Sequence, residues 1–101
     1  MAHIHEREVG HHTGVPVAFM PHVASWFQGI HLTVSAQLAA GGPPPTRAAL
    51  AAHFAAFYAG ERLVRVLADG TPDVRTHGSG VHGVTLGGFA VDEASGRVVV
   101  V

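Results

Sequence analysis

Ile30-His-Leu-Thr-Val-Ser-Ala-Gln-Leu38 alternates without a break. Ile30, Leu32, Val34, Ala36 and Leu38 fall on one side, and His31, Thr33, Ser35 and Gln37 on the other. A period of two is the mark of a strand with one face buried. Its second face is polar but uncharged, which suits water or a second sheet. Downstream, Gly41-Gly-Pro-Pro-Pro45 reads as a stiff loop, and Thr46 as the N-cap of a helix. That helix is expected from Arg47 to Ala59, rich in alanine, with Leu50, Phe54, Phe57 and Tyr58 as its apolar stripe and Gly60 as its stop. Leu63 to Ala68 reads as a strand, Asp69 to Gly83 as a loop and Val84 to Val91 as a glycine-interrupted strand. Asp92 to Gly96 reads as a hairpin turn and Arg97 to Val101 as its return strand. Upstream, Val15 to Phe19 reads as a short strand with Pro16 at its start or on an edge. Pro21 to Gly29 reads as a loop. The sum is an α+β domain: a mixed, mostly antiparallel sheet with one main helix on a face.

At 101 residues there is room for one small domain. Hydrophobic residues make up 48% and charged residues 13%, against roughly 25% charged in an ordinary domain. Part of the surface is therefore expected to face a partner. The formal net charge is −1 and no basic face is present, so nucleic acid is not an expected partner. No apolar run reaches the roughly 18 residues that suggest a membrane span, so no membrane partner is expected. No basic start followed by an apolar run suggests a secretory signal. The absence of cysteine removes disulfides and any thiol nucleophile within these residues. Val98 to Val101 is a bare apolar run that would be a sticky edge if exposed, and both ends read as cut from something longer.

Histidine is the unusual count, 9 in 101 residues. On a strand, His3 and His5 of His3-Ile-His-Glu-Arg-Glu8 would share a face. They could act as acid and base near neutral pH or contribute to a zinc site. Spacing alone reads first as a disordered, tag-like terminus. His11-His12 reads as a solvated turn. His22 sits near Trp26 and Phe27. His77 and His82 lie among Gly78, Gly80 and Gly83, whose amides could approach an anion. His31 and His53 read as structural or surface residues. No strand followed by GxGxxG occurs, so no dinucleotide fold is expected in this chain.

The order of the segments carries more than any one of them. His3-Ile-His-Glu-Arg-Glu8, Val17-Ala-Phe-Met-Pro-His22, Trp26-Phe-Gln-Gly-Ile30, Leu32-Thr-Val-Ser35, Leu86-Gly-Gly-Phe-Ala-Val-Asp92 and Gly96-Arg-Val-Val99 follow one another along the chain. That succession resembles the N-acetyl-gamma-glutamyl-phosphate reductases, and its wording is most similar to the fungal, mitochondrial form. The resemblance implies a fragment, residues 1–101, of the substrate-binding and dimerisation domain, with the NADP-binding domain absent. It implies an incomplete fold like the C-terminal domain of glyceraldehyde-3-phosphate dehydrogenase. The reaction implied is NADPH-dependent reduction of N-acetylglutamyl 5-phosphate, a small-molecule acyl phosphate, to the semialdehyde in arginine biosynthesis.

By the same resemblance His3 is the catalytic histidine that activates a cysteine and handles the proton. His5, Glu8, His22 and Gln28 fall at substrate-contacting positions. Two departures stand out: Gln28 takes a place where the bacterial pattern has arginine, and the cysteine and nucleotide fingerprint are missing. NADP would be bound by the missing domain, with no metal implied, and the fragment is expected to be inactive alone. The polar row of His31, Thr33, Ser35 and Gln37 would suit the interface of a homodimer or tetramer. The compartment implied is the mitochondrial matrix if the chain is of the fungal kind, with the cytoplasm as the alternative. Other expectations remain: a stand-alone oligomerisation or histidine-based metal-binding module, or a relative acting on aspartyl or carrier-bound aminoadipyl phosphate.

Overall fold

The computed structural model describes residues 3–25, 29–39 and 41–101. Helix α1 runs over Ile4–Thr13, strand β1 over Val34–Gln37 and helix α2 over Arg47–Phe57. Strand β2 follows at Val64–Val66, then a single π-helical turn at Val74–Gly78, β3 at Val84–Leu86, β4 at Ala90–Asp92 and β5 at Arg97–Val100.

The three antiparallel strands lie in the order β1-β5-β4. Val34 faces Val100 and Gln37 faces Arg97 across β1 and β5, while Ala90 faces Val99 across β4 and β5. β2 and β3 form a separate parallel pair, with Val64 opposite Val84 and Val66 opposite Leu86. The mixed sheet expected from the pattern is thus two small sheets, one of each kind. The interrupted run Val84–Val91 is two strands, one in each sheet. The break is Gly87-Gly88. Gly87 exchanges both backbone hydrogen bonds with Val101, at 2.8 and 2.9 Å, and the Gly88 amide donates to the Gly70 carbonyl at 2.8 Å. This seam joins the two sheets. A Cβ on Gly87 would stand 3.0 Å from Pro72 Cδ, so only glycine lets the chains come this close.

Helix α2 forms as its composition demands. The Thr46 hydroxyl accepts the Ala49 amide at 3.1 Å, the N-cap read from the sequence. The helix ends at Phe57, with Tyr58 as its cap and Gly60 at φ 90° just beyond, within the usual play of helix ends. Leu50 and Ala51 are buried, and Phe54 packs on Phe89 with ring centroids 5.3 Å apart. Around them gather Val98 and Val100 of β5, with Val66 and Val91 at the margin. Phe57 departs from the stripe: it is 71% exposed and stacks on His53 instead.

Two expectations fail, each for a physical reason, and one apolar run is protected. Val98 to Val101 is no exposed edge: β5 is the middle strand, paired on both sides, and buries Val98 and Val100. The alternating run Ile30–Leu38 is a strand only at Val34–Gln37, and neither of its faces is buried. The core lies over β4, β5 and β2, and no β1 residue joins it. Val15–Phe19 has no strand pairing; the Phe19 amide goes to the Glu6 carboxylate of α1 instead of to a neighbouring strand. The loop expected at Asp69–Gly83 gains one feature, the π-helical turn. The Ser79 amide reaches the Val74 carbonyl at 2.8 Å, and the Asp73 carboxylate caps the turn through the Arg75 amide.

Candidate functional site

His3 to Thr13 is a capped helix, not a strand or a loose tail. Its sequence offers no apolar stripe, and α1 buries no residue. Polar end groups hold it instead. His3 is the N-cap, and its Nδ1 accepts the His5 amide at 3.3 Å. Gly14 closes the other end in the left-handed conformation, φ 70°, donating to the Gly10 carbonyl at 2.9 Å. His11 and His12, expected in a turn, stand exposed in the last helical turn.

The first turn brings together two of the residues that the sequence singles out, His3 and His5. The rings of His3 and His5 meet edge to face, with centroids 4.6 Å apart. Phe19 folds back against both, 5.0 Å from His3 and 5.4 Å from His5. What returns Phe19 to the helix is Glu6, whose Oε1 accepts the Phe19 amide at 2.8 Å across thirteen residues of chain. Glu8 lies one turn along, its Oε2 3.9 Å from His5 Nε2, with both side chains more than half exposed. That separation is too long for a hydrogen bond and makes a solvated pair, weak at best.

The remaining expected residues stand apart. His22 is exposed on the segment after Phe19, and among the described residues no hydrogen bond or ring contact joins it to His3 or His5. Gln28 lies outside the described residues, as do Trp26 and Phe27. His77 serves the π-helical turn, its Nδ1 accepting the Asp73 amide at 3.0 Å. Among the described residues no three histidine or acidic side chains are placed to hold a metal ion. Glu6 and Phe19, which contact this turn, are not among the residues the sequence singles out. A signal was present: Glu6 sits three residues after the cap, the spacing of a capping box.

The cap has a chemical consequence. An Nδ1 that accepts a hydrogen bond carries no proton, so neutral His3 holds its proton on Nε2 and can donate there. Taking a proton at Nε2 needs the other tautomer, in which the bond from the His5 amide is given up.

The family model described as semialdehyde dehydrogenase, dimerisation domain, matches residues 1–101. The chain belongs to the semialdehyde dehydrogenase dimerisation-domain family. The mitochondrial protein arg-6 of Neurospora crassa is 47% identical over 98 residues, 97% of this chain and 11% of that protein. The mitochondrial bifunctional protein argC of Dictyostelium discoideum is 46% identical over 90 residues, 89% of this chain and 10% of that protein. The N-acetyl-gamma-glutamyl-phosphate reductase of Xanthomonas campestris is 46% identical over 99 residues, 98% of this chain and 30% of that protein. The chain thus spans between a tenth and a third of the length of the curated relatives it matches. No solved structure matches the chain.

Proposed function

We propose that these residues supply the acid–base histidine, substrate contacts and subunit interface of an N-acetyl-gamma-glutamyl-phosphate reductase. Such an enzyme reduces N-acetylglutamyl 5-phosphate to the semialdehyde with NADPH, in arginine biosynthesis. The observation that carries this is the 46% identity over 98% of the chain with a protein of that name. The mitochondrial names of the Neurospora and Dictyostelium relatives support a matrix location. The fold proposed for the complete domain is that of the glyceraldehyde-3-phosphate dehydrogenase C-terminal domain.

The nucleophile is a cysteine from outside these residues, since the chain has none. A thiolate attacks the acyl carbon, the bond to the phosphate oxygen breaks, and phosphate departs. An imidazole beside the sulfur favours the thiolate. His3 in its capped form donates through Nε2, the role required to steady that thiolate or an oxyanion formed at the acyl carbon. His5 lies beside it, with Glu8 one turn on, and His22 and Gln28 complete the proposed contacts to the anionic substrate. The residues described do not fit a nicotinamide dinucleotide. The one parallel strand pair, β2 and β3, is connected through a five-residue π turn and not through a glycine-opened helix. NADP therefore belongs to a domain outside these residues, and the chain alone is expected to oxidise no NADPH.

Replacing the matched segment of the Xanthomonas campestris enzyme with these 101 residues tests the reading. The chimera is expected to oxidise NADPH with N-acetylglutamyl 5-phosphate, and His3→Ala to lower kcat by about 10²-fold or more. A folded, oligomeric chimera without activity would overturn the proposed reaction. Full activity in His3→Ala would overturn the role of that residue.

A further inference from the structure

We infer that Glu6 is a positioning residue for the histidine pair, acting through Phe19. The inference rests on the function proposed above for His3. Its geometry is independent of that function.

Three observations meet at Glu6. First, it occupies the third helical position, where a capping-box glutamate would turn back to the amide of the cap residue. Here its Oε1 takes the amide of Phe19 instead, at 2.8 Å. Second, that bond delivers the Phe19 ring to the two imidazoles, at 5.0 and 5.4 Å. Third, α1 buries no residue, so nothing from the core supports this turn. Ten residues without tertiary packing make a marginal helix. The Glu6–Phe19 bond and the three-ring cluster are therefore what orders the end of the helix that carries His3.

The consequence falls on the tautomer. With the Phe19 ring against it, His3 keeps Nδ1 over the His5 amide, and Nε2–H points away from the cap. Without Glu6 the segment after Gly14 is released, Phe19 leaves the rings, and His3 is free to exchange tautomers. Glutamine at position 6 retains an acceptor oxygen for the Phe19 amide, whereas alanine does not. The two substitutions therefore separate the hydrogen bond from the mere presence of a side chain.

Nitrogen-15 NMR of His3 in the 101-residue chain is the direct test. The unsubstituted chain and Glu6→Gln are expected to show mostly Nε2–H imidazole, with ring-current shifts on His3 and His5 from Phe19. Glu6→Ala and Phe19→Leu are expected to show mixed tautomers and to lose those shifts. In the chimera, Glu6→Ala is expected to lower kcat about tenfold with KM within twofold, and Glu6→Gln to restore it. Core melting should be the same in all. An unchanged His3 tautomer and unchanged ring shifts in Glu6→Ala overturn the inference, whether or not the chimera is active. A folded, oligomeric but inactive unsubstituted chimera overturns the proposed reaction and leaves the NMR result to decide the inference.

Discussion

Two single residues show how local chemistry sets measurable properties. Asp92 opens the hairpin between β4 and β5. Its carboxylate accepts the Ser95 hydroxyl at 2.7 Å and the Ala94 amide at 3.2 Å. The Ser95 hydroxyl, above all, holds its pKa below the ordinary 3.8, with the Ser95 and Ala94 amides and Arg97 adding to the effect. A carboxyl whose folded pKa is depressed stabilises the fold above its unfolded pKa. That stabilisation is lost as pH falls through the folded value, so the window lies below about 3.8. Ser95→Ala is expected to raise the Asp92 pKa toward the ordinary value, as read by carbon-13 titration of the carboxyl. No movement would mean that the hydroxyl is not the main cause. Gly88 is the second residue. It sits at φ 57°, and a Cβ there would meet Val101 Cγ2 at 2.9 Å and Thr71 Cγ2 at 3.2 Å. Gly88→Ala is expected to destabilise the domain by roughly 1–3 kcal/mol, from the left-handed backbone and the crowding together. Urea denaturation measures it, and an unchanged midpoint would refute the strain.

Among elements, α2 and β1 differ in what they contribute. Phe89, 4% exposed, is the centre on which Phe54 of α2 packs. Phe89→Ala is expected to cost about 3–5 kcal/mol, since a buried ring leaves a cavity. Thr46→Ala removes only the cap and is expected to cost about 1 kcal/mol. Thermal melting of the two variants should keep that order, and a larger loss for Thr46→Ala would contradict the packing. The elements legible in the sequence were those with a local signal that agrees with their packing. Thr46 before an alanine-rich run marked α2, and Asp92 to Gly96 marked the hairpin. β1 was legible only in part: its alternation foretold a buried face, but the core beneath α2 is built from Phe89 and β5, with β2 and β4 at its margin. Helix α1 was illegible because it has no apolar period and is held by His3, Glu6 and Gly14. The residues proposed for the site could be named from their order along the chain. That Glu6 and Phe19 gather two of them could not, because the contact depends on the chain doubling back after Gly14.

The whole molecule is open for its size. Its Cα radius of gyration is 14.8 Å, against about 13 Å for a compact domain of this length. Its accessible surface is 8041 Å², about half again the roughly 5,400 Å² of a compact monomer of this mass. Exposed apolar side chains from the segment after α1 to just past β1 contribute to it. Met20 is 82% exposed, Ile30 94% and Val23 100%, with Leu32, Val34 and Leu38 continuing the run. A surface of this kind fits a family named for dimerisation. We expect the chain to sediment as a dimer or larger, and Ile30→Asp with Leu32→Asp to shift it toward monomer while the core melts unchanged. A folded monomer at high concentration in the unsubstituted chain would oppose this.

The bare surface of α1 has one more consequence, for local stability. A helix that shares no buried contact with the core opens without it. The amides of α1 are therefore expected to exchange with solvent through local fraying, at an opening free energy far below that of β5. Weakening the core accelerates exchange in β5 and leaves α1 as it was. A partner surface that closes over His3 and His5 would protect α1 and leave β5 unaffected.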